Sequence, residues 1–256
     1  MYQVRFIGKI VSESLKISVQ NGPTISYDIH EINIHISCKI NINQSKVEVI
    51  CDCEKYEDAW LGWFHNYAMD FASAQVDLIG FCLGKPLEVV FYEVIDANGK
   101  CLRLSNEVGY LRGLCKSFSL EASPNPRFEK LCNEVLYSDP NIFLALSELR
   151  MSLRFHTQTL HACQRAIERI RNSISSNDNN EKRAWKALRD SLQIDRSYLD
   201  YICNASKPHR HGQLEYVDSA KMTELRRRSW IIMDRFLEYR LRDSVALPQN
   251  EFPILA

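Results

Sequence analysis

Thr157-Gln-Thr-Leu-His-Ala-Cys-Gln-Arg-Ala-Ile-Glu-Arg-Ile-Arg-Asn-Ser-Ile174 decides the second half of the molecule, because its apolar residues follow a single period. Leu160, Cys163, Ile167, Ile170 and Ile174 are spaced by three, four, three and four, which is the stripe of a helix buried along one side. A polar row of His161, Gln164, Glu168 and Arg171 runs beside it. Such a row reads first as a solvated flank. On the other reading it lines a cleft that faces a polar turn further along the chain.

Helical patterning continues on both sides of this stretch. Upstream, Arg127–Tyr137 predicts a short helix, and Asn141–Arg154 a longer one with Phe143, Leu146, Leu149 and Leu153 as its stripe. Downstream, a polar loop from Ser175 to Asn180 precedes a helix over Glu181–Leu192, resting on Trp185, Leu188 and Leu192. Asp195 can cap a short helix through Tyr198, Leu199 and Ile202. Asp218–Val245 then predicts the longest helix, about 42 Å at 1.5 Å per residue. Its inward face would hold Met222, Leu225, Ile232, Phe236 and Tyr239, and its outer face Arg227, Arg228, Arg235 and Arg242. Residues 127–247 therefore predict an antiparallel helical bundle with short connections, followed by a tail over 248–256.

The first half has a different period. Tyr2–Ile7, Leu15–Val19 and Lys46–Cys51 alternate apolar and polar residues, as half-buried strands do. Tyr27–Ser37 also reads as one strand, with a register slip between Ile29 and Ile32 that a bulge would absorb. From Asp58 the period lengthens. Trp60, Phe64, Tyr67, Phe71, Ala74, Leu78 and Cys82 mark a long helix, with Asp58 as N-cap and Gly84 as its stop. Leu87–Ile95 and Cys101–Leu104 predict a hairpin turned at Asn98-Gly99. Residues 1–122 thus predict an α+β domain, an antiparallel sheet packed on one long helix. Ser123-Pro-Asn-Pro126 would be the linker to the bundle.

Composition narrows the partners. Apolar residues make up 45% and charged residues 25%, as in an ordinary globular protein, and formal net charge is zero. Residues 1–122 hold 11 lysines and arginines against 15 acidic residues, which leaves the remainder at +4. The second half is therefore the better match for a polyanion. No stretch offers the ~20 apolar residues that span a bilayer, and no signal peptide opens the chain, so no membrane partner is expected. Nine scattered cysteines read as reduced thiols, which fits a cytoplasmic protein. Cys51-Asp-Cys53 has one residue between its thiols, too few for a zinc finger, and no matching pair follows. No metal and no cofactor are expected. Dinucleotide, phosphate-loop, esterase and zinc-protease signatures are also missing.

Tyr198-Leu-Asp-Tyr-Ile-Cys-Asn-Ala-Ser-Lys-Pro-His-Arg-His-Gly212 is the densest collection of groups that could bind an anion or move a proton. Lys207 and Arg210 can hold phosphate oxygens, and His211 titrates near neutrality and can act as general acid or base. His209 and Asn204 are further binding candidates, and Glu168 could orient His211. The plainer reading is a polar turn between helices, in which His209 and His211 cap helix ends and Gly212 turns left-handed.

Arg165-Ala-Ile-Glu-Arg-Ile-Arg171, Trp185-Lys-Ala-Leu-Arg189 and Arg210-His-Gly212 give the bundle a resemblance to the HEPN superfamily, in its ApeA-like and methylamine-utilisation J-like branch. The resemblance covers roughly residues 127–245. It implies homodimerisation through the bundle and metal-independent RNA cleavage by paired Arg-x(4–6)-His motifs. Here only the His-Gly end of that motif carries over, onto His211 and Gly212. The arginine positions counted back from His211 hold Asn204, Ala205 and Ser206. Two functions follow as expectations. One is a non-catalytic binding and dimerisation module that contacts RNA. The other is a metal-independent endoribonuclease in which His211 is acid or base and Arg210 or Lys207 neutralises the phosphate.

Overall fold

The computed structural model describes residues 1–11, 16–19, 22–30, 32–104, 109–111, 113–115, 126–136, 138–154, 158–175, 180–206 and 218–256. The chain forms two compact units, Met1–Glu107 and Val108–Ala256. The first is a six-stranded antiparallel sheet with one long helix, and the second is helical. The division falls ahead of the expected linker at 123–126, of which only Pro126 lies within the described residues. Leu111 is buried and Cys115 packs on the helical core, so these residues belong with the second unit.

In the first unit the strands are β1 (Tyr2–Val11), β2 (Thr24–Ile29), β3 (Ile34–Asn43), β4 (Lys46–Cys53), β5 (Glu88–Ile95) and β6 (Cys101–Arg103), in sheet order β2-β3-β4-β1-β5-β6. Alternation decides which face is buried. Along β3, Ile34, Ile36, Cys38, Ile40 and Ile42 are buried, while His35, Lys39 and Asn43 are exposed. The Tyr27–Ser37 stretch is two strands. Ile29 pairs with Ile34, and Asn33 at φ 50° turns the chain between them. A reversal keeps the isoleucines on one face, as the expected bulge would have done, and it also supplies a partner strand. The sheet's register shift lies elsewhere, between Ile7 and Gly8 opposite β5. A Cβ at Gly8 would stand 2.4 Å from the Val90 carbonyl oxygen, so the two strands approach this closely only at glycine. Leu15–Val19 contributes a single bridge, Val19 to Ile42, among the described residues.

Helix α1 (Leu61–Leu83) covers the sheet through Phe64, Ala68, Phe71, Ala72 and Val76. Asp58 does not cap it. It opens a short 3-10 turn, Asp58–Trp60, and accepts from Asn98 Nδ2 at 3.4 Å. The inward face also leaves the expected stripe after Phe71. Gly80 is buried close against the Lys85 carbonyl, whereas Leu78 and Cys82 are exposed. Gly84 ends the helix at φ 61°, and the Asn98-Gly99 turn is closed by Asp96 Oδ1, which accepts from the amides of Asn98 and Lys100. Asp70 on α1 carries a carboxyl pushed up to about 6 by burial.

In the second unit, α2 (Pro126–Lys130) widens into a π turn over Leu131–Val135. It is followed by α3 (Pro140–Arg154), α4 (Thr159–Ile174), α5 (Glu181–Leu192), α6 (Arg196–Ala205) and α7 (Ser219–Leu241). The core takes Leu160, Cys163, Ile167 and Ile170 from α4, as their spacing requires. On α3 it takes Ile142, Ala145 and Leu149, and the expected Phe143 and Leu153 are exposed. Each fully buried leucine or isoleucine contributes about 1.5–3 kcal/mol.

Helix α7 ends at Leu241, short of the expected Val245, because Asp243 and Ser244 turn left-handed. Arg235 is buried, not on an outer face. Its Nη1 donates to the carbonyls of Leu192 (2.9 Å) and Gln193 (2.8 Å), and its Nη2 to Pro253 (2.7 Å). The segment 248–256, expected as a tail, is bonded into the bundle. Leu255 donates to Gln193 O, and its own carbonyl accepts from Asp195.

The raised Asp70 pKa sets a sign. Folding binds a proton more tightly than the unfolded chain does, so this group's contribution is complete below the unfolded pKa near 3.8 and is lost as pH rises through about 6. Asp70→Asn should raise Tm at pH 7.5 and leave it close to wild type at pH 4, as read by thermal melts across that range. An equal shift at both pH values would remove the carboxyl from the account.

Candidate functional site

Helices α4, α5 and α6 enclose a cleft of about 430 Å³, within the range of small-ligand pockets. Each wall follows from how its helix is anchored. On α5, Asn180 caps the N-terminus by accepting from the amides of Lys182 and Arg183. Ala184, Leu188 and Leu192 are buried in the bundle, and Glu181, Lys182, Trp185 and Arg189 line the cleft. On α6, Asp195 accepts from Ser197 N at 2.7 Å. Tyr198 and Ile202 are buried, while Arg196, Asp200, Cys203 and Asn204 line the cleft. Leu199 does both. The third wall is α4, through Gln164 and Glu168.

This α4 wall is the polar row of the sequence, and it is not a solvated flank. Gln164 is only 4% exposed. Its Nε2 donates to Glu168 Oε1 at 2.8 Å, and its Oε1 is buried with no donor among the described residues. An acceptor left in that state costs about 1–3 kcal/mol. Arg171 leaves the row for α5, where its guanidinium lies 4.8 Å from the centre of the Trp185 ring and donates to Glu181. His161 is half-buried and does not line the cleft.

The charges on the walls balance in number but not in engagement. Glu181 accepts from Arg171 and from Trp185 Nε1, and Asp200 accepts from Arg196 at 3.3 Å. Among the described residues, the side chains of Lys182 and Arg189 have no ion-pair partner. Two cations beside an indole make the cleft receptive to an anion attached to a flat group.

Of the site residues read from the sequence, Glu168 and Asn204 are brought together in this cleft. Lys207, His209, Arg210 and His211 lie outside the described residues. The three positions where the resemblance places an arginine diverge. Asn204 is exposed at the cleft, whereas Ala205 and Ser206 are buried, and Ser206 Oγ donates to the Cys203 carbonyl. Lys182, Trp185, Arg189 and Arg196 carry most of the cleft's chemistry and were not singled out as site residues. On α5 their signal was the stripe at 182, 185 and 189, which flanks the core positions Ala184, Leu188 and Leu192.

The triplet Arg226–Arg228 is structural. Arg226 donates to the Ser152 carbonyl and to Thr159 Oγ1, tying α7 to α3 and α4. Arg227 and Arg228 both hold Glu224, and these hydrogen bonds keep its carboxyl down at about 2. Arg228 also lies over the rings of Tyr198 and Tyr201 at 4.4 and 4.3 Å. Among the described residues no three histidine, cysteine or acidic side chains converge as a metal site would need. No helix described is long and apolar enough to cross a membrane.

Two family models match the chain in tandem. Residues 4–104 match the N-terminal domain, and residues 128–241 the C-terminal domain, of a domain of unknown function, DUF8168. The chain carries both DUF8168 domains. The boundaries of the second model enclose α3 to α7, so the cleft lies wholly within the C-terminal DUF8168 domain. No curated protein and no solved structure matches the chain.

The orphaned acceptor gives a stability test. Gln164→Leu removes the unmatched Oε1 along with one hydrogen bond, so the fold should be unchanged or more stable by up to about 1 kcal/mol in urea titration. A loss beyond about 1 kcal/mol would mean that the amide serves packing and not the cleft.

Proposed function

We propose that this DUF8168 protein is a cytoplasmic, HEPN-like binding module that holds RNA at its helical bundle, acts without catalysis and dimerises through that bundle. The observation that carries the reading is the α4–α5–α6 cleft, where Lys182 and Arg189, which have no ion-pair partner among the described residues, line the wall with Trp185. A phosphate backbone supplies the charge these cations lack, and a base supplies a flat face for the indole. The +4 charge of the second half of the sequence favours the same polyanion. The non-catalytic form is preferred because the positions of the expected arginine hold Asn204, Ala205 and Ser206, two of them buried.

The test is anisotropy of a short labelled single-stranded RNA, titrated at several salt concentrations. Lys182→Glu with Arg189→Glu should abolish most of the binding, and single alanine variants should each lower the salt slope by about 0.7. Binding that is indifferent to both cations would overturn the reading. The same RNA incubated with EDTA should remain intact. Cleavage by the wild type that is lost in His211→Ala would instead establish the endoribonuclease. Light scattering should give twice the mass of one chain, and a single-chain mass would remove the dimer from the proposal.

A further inference from the structure

We propose that Cys38 and Cys51 are a disulfide-forming pair, closed by a small-molecule disulfide while the sheet is being built and shielded once it is complete. The two residues face each other across the β3–β4 ladder, with their Sγ atoms 3.1 Å apart. Both carry free thiols. Directly opposed residues of an antiparallel pair have Cα atoms about 4.5–5.5 Å apart, inside the range of about 4.4–6.8 Å that a disulfide spans. A bond of about 2.05 Å needs the sulfurs to close by about 1 Å, which side-chain rotation supplies without moving a strand. Cys53, the next inward residue of β4, lies opposite Ile36 on one side and Tyr2 on the other. The register thus selects Cys38 as the partner of Cys51.

Burial sets when the bond is made. Both thiols are fully buried in the core that the sheet shares with α1. The Cys38 thiol beside it and the loss of water hold the Cys51 thiol well above its ordinary pKa, so the finished fold offers no thiolate there. The hairpin that aligns the pair is complete earlier. Gln44 and Ser45 alone join β3 to β4, at φ 49° and 64°, the left-handed two-residue turn that suits a hairpin. Such a hairpin forms in about 1–10 μs, whereas α1 follows about a second later in a chain made at about 5–20 residues per second. In that interval the thiols are aligned and wet. The thiolate of one cysteine attacks the small disulfide, forming a mixed disulfide and releasing one small thiol. The other cysteine then attacks the protein sulfur of that mixed disulfide and releases the second. Two protein thiols give up two protons and two electrons, and the small disulfide ends as two thiols. In a reducing compartment the pair stays as thiols, so the bond records the conditions under which a chain was made.

Cell-free synthesis of the full chain tests this, with oxidised glutathione supplied either during translation or only after it. Remaining thiols are blocked with iodoacetamide, and the soluble chains are digested and mapped by mass spectrometry. Chains made with oxidised glutathione should carry the Cys38–Cys51 link in most molecules, and chains given it afterwards should not. The link should survive dithiothreitol until guanidinium unfolds the sheet. Its absence from chains made with oxidised glutathione, a link from either residue to Cys53, or equal linkage in the two arms would overturn the proposal. So would reduction by dithiothreitol as fast in the folded chain as in the unfolded one. Cys38→Ser should lose the linked peptide, and if that variant fails to fold the two wild-type arms decide by themselves.

Discussion

The guanidinium of Arg235 is the constraint on which the second unit depends. Burial lowers its pKa, yet an arginine remains a cation at neutral pH and must be met by oxygen. Three carbonyls meet it, two at the C-terminal end of α5 and one from Pro253. A helix's last carbonyls are its negative end, so a buried cation there satisfies both partners. The same side chain thus ties the end of α5 to the final segment, next to the point where Asp195 caps α6. Those two helices are two of the three walls of the cleft. One turn further along, Glu238 is buried between Arg127 and Arg242, so α7 carries a second compensated charge in its interior.

The fold was legible where one period ran without interruption. The α4 stripe, the β3 alternation, the Asn98-Gly99 turn and the Asp195 cap all came from local chemistry, and local chemistry decided them. Failures arose where tertiary contacts chose between locally equal options. A slip between Ile29 and Ile32 suits a bulge or a reversal, and the pairing partner decides which. An arginine on a long helix reads as solvent-facing until carbonyls from other elements appear opposite it, as happened at Arg235. On α1, the close approach of Lys85 to Gly80 turned the helix face away from Leu78.

The site was half legible. Glu168 and Asn204 were chosen for proximity to a polar turn, and they do share a cleft. The α5 residues were missed because Trp185 read as part of the core stripe and the cations beside it as a solvated face. What distinguishes them is the cleft they share with α4 and α6, which a sequence does not record. The resemblance pointed to the His-Gly end of the turn. The described cleft lies among the helices that precede that turn, α4, α5 and α6.

The sheet order has a consequence for how the molecule is assembled during synthesis. β1 precedes every other strand of the sheet in the chain, yet it lies between β4 and β5, and its partners are far away in the chain. Pairings of that separation are slow because loop entropy is lost before they form. A nascent chain must therefore hold Tyr2–Val11, with the buried Val4, Phe6 and Ile10, unpaired until β4 emerges, and half-paired until β5 does. The helices behind it meet their neighbours soon after they emerge. The first unit is thus the slow folder, and its opening strand is the segment most in need of a chaperone's shelter.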